Sequence, residues 1–91
     1  MPDIPFTQYL RPDGRINPVT IDVPDEVHAK AMQIIAAGYR FECEHLTPGY
    51  ASLTIFDPED EVDVAIEVVP NGPEVPEAVN RMVLGFKLED R

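Results

Sequence analysis

The chain has 91 residues and a net charge of −10, with 17 acidic side chains against 7 lysines and arginines. That length supplies one core and one domain, residues 1–91, and the charge argues against direct binding to a nucleic-acid backbone, whose affinity comes from cations that neutralise phosphates. The single cysteine, Cys43, excludes an intramolecular disulfide and any zinc site of several cysteines, and fits a reducing compartment.

The first stretch, IPFTQYLRPDGRINPVTIDV, predicts a hairpin around RPDG, a type I turn with Pro12 second and Gly14 fourth. Setting Leu10 opposite Arg15 places Phe6 opposite Val19 and Ile4 opposite Ile21, all facing the core with Val23, while Thr7 and Tyr9 point the other way. Pro18 has no amide proton, so its strand belongs at an edge or at a bulge. PDEVHAKAMQIIAAGY predicts a helix. Pro24 suits its start, Asp25 and Glu26 complement its positive end, and Gly38 suits the position past its last turn. Val27, Ala31, Ile34 and Ile35 make the apolar stripe.

A second hairpin, YRFECEHLTPGYASLTIFD, turns at Thr47-Pro48-Gly49. Phe41, Cys43, His45, Ala51, Leu53 and Ile55 share one face; Arg40, Glu42, Glu44, Tyr50, Ser52, Thr54 and Phe56 share the other. In the last strand, VDVAIEVV, strict alternation sends Val62, Val64, Ile66 and Val68 inward and Asp63, Ala65 and Glu67 outward. This phase requires an even acidic turn, and DPED with Pro58 second provides one. After a turn at Asn71-Gly72, Ala78, Val79, Met82, Val83 and Phe86 line one side of a second helix, with Pro76 in its first turn. The order ββαβββα predicts an α+β two-layer sandwich, a mainly antiparallel five-stranded sheet with both helices on one face.

The alternation Asp57, Glu59, Glu61 and Asp63 invites comparison with a calcium loop. Pro58 takes its second position, Val62 replaces the turn glycine, and Val68 stands where a bidentate glutamate belongs, so no metal is expected there. Cys43 and His45 share a strand face that is otherwise core, where a thiol behaves as a small hydrophobe. With no phosphate loop, nucleophile elbow or two-histidine metal motif, the expectation is a non-enzymatic protein without a cofactor. The open sheet face is more informative. Tyr9, Tyr50, Phe56, Thr54, Ala65 and Val69 are expected on it among Glu42, Glu44, Asp63 and Glu67, an apolar and aromatic patch rimmed by acids.

The phrases FTQYLRPDGR, AAGYRFECEHL and PNGPEVPEAVNRMV together resemble a family of small uncharacterised proteins of bacteriophages, prophages and some proteobacteria. The resemblance covers most of the chain. It implies no activity and no site residues, only a mobile-element setting inside a bacterial cytoplasm. No charged-then-apolar leader and no apolar run of bilayer length are present, which fits that compartment without membrane contact.

The expected function is therefore an acidic module that binds a host protein through that protein's basic, nucleic-acid-binding surface. The residues expected to carry it are Tyr9, Glu42, Glu44, Tyr50 and Phe56, with Asp57, Glu59, Asp60 and Glu61 at the adjoining tip. Two alternatives stand beside it: a homodimeric assembly protein using the open sheet face, and a small-ligand or metal binder.

Overall fold

The structure, a computed structural model, describes residues 2–10, 15–46 and 49–88. The expected turn at Arg11–Gly14, the Thr47-Pro48 part of the second turn and the chain beyond Leu88 lie outside the described residues. The elements run β1 (Asp3–Leu10), β2 (Arg15–Asp22), α1 (Asp25–Ala36), β3 (Arg40–Leu46), β4 (Tyr50–Asp57), β5 (Val62–Pro70) and α2 (Glu74–Gly85). The fold is α+β. Its five strands form one mixed sheet in the order β2-β1-β3-β4-β5, antiparallel throughout except between β1 and β3.

The first hairpin pairs Leu10 with Arg15, Phe6 with Val19 and Ile4 with Ile21, the register that alternation dictates. β2 lies at the sheet edge, where the missing amide proton of Pro18 costs no ladder bond. From that edge, α1 carries the chain across β1 to β3. Its end is set by Gly38, whose φ of +104° lies in the region only glycine enters freely. Gly38 N–H then donates to Ile35 O at 2.9 Å and Tyr39 N–H to Ile34 O at 3.3 Å, satisfying carbonyls that the helix leaves open.

One core lies between the sheet and the two helices. Ile4, Phe6, Phe41, Leu53 and Ile55 rise from the strands to meet Val27, Ala31 and Ile34 of α1 and Ala78, Val79, Met82 and Val83 of α2. Burying each larger aliphatic or aromatic side chain contributes about 1.5–3 kcal/mol. The Phe6 and Phe41 rings pack 5.3 Å apart, and Tyr39 meets Phe86 edge-on at 5.1 Å, closing the far end of α2 over the core. Lys30 of α1 donates to Leu84 O at 2.9 Å, a cation at the negative end of α2.

β5 departs from expectation. Its four-residue tip, residues 58–61, is even, and Asp57 pairs with Val62 and Phe56 with Asp63. The next partner of Ile55 is Ala65, so Val64 is a surplus residue opposite no residue of β4. A bulge of this kind shifts the alternation by one. Ala65, Glu67 and Val69 consequently face the helices, while Ile66 and Val68 join Thr54 and Ser52 on the open side. Ile66 is 56% exposed and Val68 54%, whereas Val69 is 9% exposed within the core. The inward assignment of Val64, Ile66 and Val68 is thereby corrected, as is the outward one of Ala65, Glu67 and Val69; Val62, before the bulge, keeps the face of Asp57 but is 47% exposed there.

Truncating the two neighbouring valines separates these phases. Val69→Ala should lower unfolding stability by about 2 kcal/mol and Val68→Ala by less than about 0.5 kcal/mol. Urea midpoints of the two variants in parallel check this, and a larger loss at Val68 would reverse the assignment.

Candidate functional site

The helix-free face brings together most of the residues singled out from the sequence. Tyr9 of β1, Glu42 and Glu44 of β3, and Tyr50 and Phe56 of β4 all project from it, because Tyr9 aligns with Glu44 in the parallel pair and Arg40 with Phe56 in the antiparallel one. The face divides into two halves of different character.

The half over β1 and β3 is an internal network. Glu42 is buried, and its Oε2 accepts from the Tyr9 hydroxyl and from Arg40 Nε, both at 2.8 Å. The Arg40 guanidinium also lies 4.9 Å from the centre of the Phe56 ring, a cation–π contact. One carboxylate thus ties β1 to β3, and one arginine ties β3 to β4. Glu42 is consequently a bridging group rather than an outlying charge. The hydrogen bond to Glu42, with lesser contributions from desolvation and from the carboxylate's charge, raises the Tyr9 phenol above its usual pKa.

The half over β4 and β5 is apolar and open. Tyr50, Ile66 and Val68 are exposed there, with Ser52, Thr54 and Phe56 half-buried between them. The bulge at Val64 supplies the two aliphatic members, which strict alternation conceals. Only the switch in β5 composition, from bulky Val64 to small Ala65, could have hinted at it. Glu44 borders this half, and Asp60, Glu61 and Asp63 stand exposed at its end.

Asp57 belongs to neither half. It is 3% exposed, on the side of Ile55, and its Oδ1 accepts the Glu59 N–H at 3.0 Å. It organises the turn and does not present a charge to the surroundings, which corrects its inclusion in an exposed tip. Glu59, Asp60 and Glu61 are exposed as expected, with Glu61 closing the loop at φ +57°.

On the helix-bearing face, Cys43 and His45 line a cavity of about 260 Å³ with Gln8, Leu53 and Val75. Gln8 Nε2 lies 3.1 Å from His45 Nε2 at its exposed rim. Burial pushes the Cys43 thiol up to about 11, so it is protonated and a poor nucleophile near neutrality. Among the described residues, no group of three or more His, Cys, Asp or Glu side chains converges as a metal site, and no helix is long and apolar enough to cross a membrane. In comparisons with known proteins, the chain matches no family model, no curated protein and no solved structure.

Two outcomes follow from the protonation geometry. Glu42→Ala removes the hydrogen bonds from the Tyr9 hydroxyl and from Arg40 and should cost about 1–2 kcal/mol, since both donors keep access to water, read as a lower thermal midpoint. Cys43 and Tyr9 both hold their protons more tightly when folded, so the unfolded chain releases protons first. Their contribution is complete below the unfolded thiol value of ~8.5 and falls as pH rises through it, the phenol joining above ~10. Urea midpoints at pH 8 and pH 10.5 should therefore fall less in Cys43→Ala than in the wild type; an equal fall would contradict the thiol's share.

Proposed function

We propose that the chain is a non-enzymatic protein-binding module that docks on a basic surface of another protein through the β4–β5 half of its open sheet face. The observation that carries this reading is the bulge at Val64. It turns Ile66 and Val68 away from the core, opposite Thr54 and Ser52 on the face that Tyr50 shares, at the cost of leaving two large aliphatic side chains in water. Apolar and aromatic side chains supply contact energy when covered, and the exposed Asp60, Glu61 and Asp63 beside them supply steering toward a cation-rich partner. The resemblance to small phage and prophage proteins gives the setting: a mobile-element protein that inhibits or regulates a host factor by occupying the surface with which that factor holds nucleic acid.

The two parts of this surface have separable kinetic effects. Asp60→Asn/Glu61→Gln/Asp63→Asn should slow association by about tenfold at low salt with little change in dissociation. Tyr50→Ser/Val68→Ser should chiefly hasten dissociation. The measurement is surface capture from host lysate, followed by kinetics on the purified partner. Capture of the same partner with unchanged rates by both variants would end the proposal.

The exposed aliphatics of β5 also favour a second reading, a homodimer through the same face. The charge of −10 on each copy opposes it. Light scattering across a hundredfold concentration range distinguishes the readings, since a strict monomer removes the dimer.

A further inference from the structure

The sheet has two edges, and among the described residues only β2 is interrupted by a proline in mid-strand. β2 carries Pro18 in its middle, which removes an amide proton and blocks a continuing ladder. β5 has its proline at the end, Pro70, and beyond the bulge it offers the regular run Ala65–Val69, with no strand on its outer side among the described residues. Backbone donors and acceptors along that run therefore face away from β4 at alternate residues.

A groove accompanies this edge. About 530 Å³ in volume, it lies between β5 and the end of α2, lined by Ala65, Ile66, Glu67, Met82 and Phe86. Arg81 spans it to Glu67 at 2.9 Å. A strand laid along β5 would place alternate side chains against Ile66 and Val68 on the open face and against Met82 and Phe86 in the groove.

We infer that the β5 edge accepts an extended, basic segment of a partner protein as a sixth strand. This rests on the protein-binding reading above and names the form of the partner's contact. Charge complementarity selects the occupant. Asp60, Glu61 and Asp63 are exposed at the start of β5, and with Glu67 they outnumber Arg81 and Lys87 along the edge. A segment alternating aliphatic with basic residues satisfies both the apolar side chains and this field. A second copy fits worse. Antiparallel pairing of two β5 edges about Ile66 would bring the acidic tip of each chain against the Glu74 end of α2 in the other.

The test uses the full chain, isotope-labelled, with three fluorescent peptides as long as β5. One alternates lysine with valine, one alternates glutamate with valine, and the third is the lysine peptide N-methylated at alternate amides. Polarisation measures affinity and amide exchange locates the contact. The lysine peptide should slow exchange of Ala65–Val69 by about tenfold or more, with affinity about tenfold weaker after N-methylation and weaker again for the glutamate peptide. Binding insensitive to N-methylation, or protection confined to Tyr50–Phe56, would overturn strand addition while leaving the sheet-face reading intact. Equal binding of the glutamate peptide, or no binding of any peptide, would overturn the choice of a basic segment. Protection of β5 that grows with protein concentration alone would make a second copy the occupant and overturn the inference.

Discussion

Where β4 meets β5, two ladders must be reconciled with one residue too many. The turn after Asp57 returns the chain in phase, and Val64 then takes it out of phase, so the strand presents Ala65 and Val69 to α2. The exchange suits the helix. Ala65 is small beside Met82 and Phe86, and Glu67 meets Arg81 across the groove. The opposite phase would put Ile66 and Val68 beneath α2 and leave Arg81 without that carboxylate. The same displacement leaves large aliphatics outside, and a soluble surface tolerates that most readily where something covers it. Core packing and the character of the open face thus share one cause.

Much of this was legible in the residues. The registers of β1 with β2 and of β3 with β4 follow from alternation because both pairs run without interruption; Phe6 opposite Val19 and Phe41 opposite Ile55 show it. The stripes of α1 and α2 were equally plain, as Val27, Ala31 and Ile34, and Val79, Met82 and Val83, are all buried. The phase of β5 was scarcely legible, since VDVAIEVV is apolar enough to read either way and the step from Val64 to Ala65 is a weak sign of a bulge. The burial of Glu42 was hidden for another reason. Arg40 reaches Glu42 from two residues away on the same strand face, but Tyr9 meets it only once β1 lies parallel beside β3, a pairing no local pattern reveals. Asp57 could have been found, because an aspartate before Pro-Glu commonly caps its own turn.

The open face therefore combines a fixed half with an available one. Glu42, Tyr9, Arg40 and Phe56 hold three strands together and bring a buried carboxylate that is satisfied from two sides. Beside them, Tyr50, Ile66 and Val68 form the apolar area, and the acids of the tip give the region its field. A rigid neighbour lowers the ordering cost of binding to the available half. The outer edge of β5 borders the same area.

The phase of β5 is most directly tested by single cysteines at 65, 66, 68 and 69. Cys43 stays silent as a background, buried and with its thiol raised to about 11. Maleimide labelling of the folded chain near neutral pH should be fast for Ile66→Cys and Val68→Cys, slower for the half-buried Ala65→Cys, and should await transient opening for Val69→Cys. Fast labelling at 65 and 69 with protection at 66 and 68 would place the bulge elsewhere and dissolve the exposed surface on which the functional reading stands.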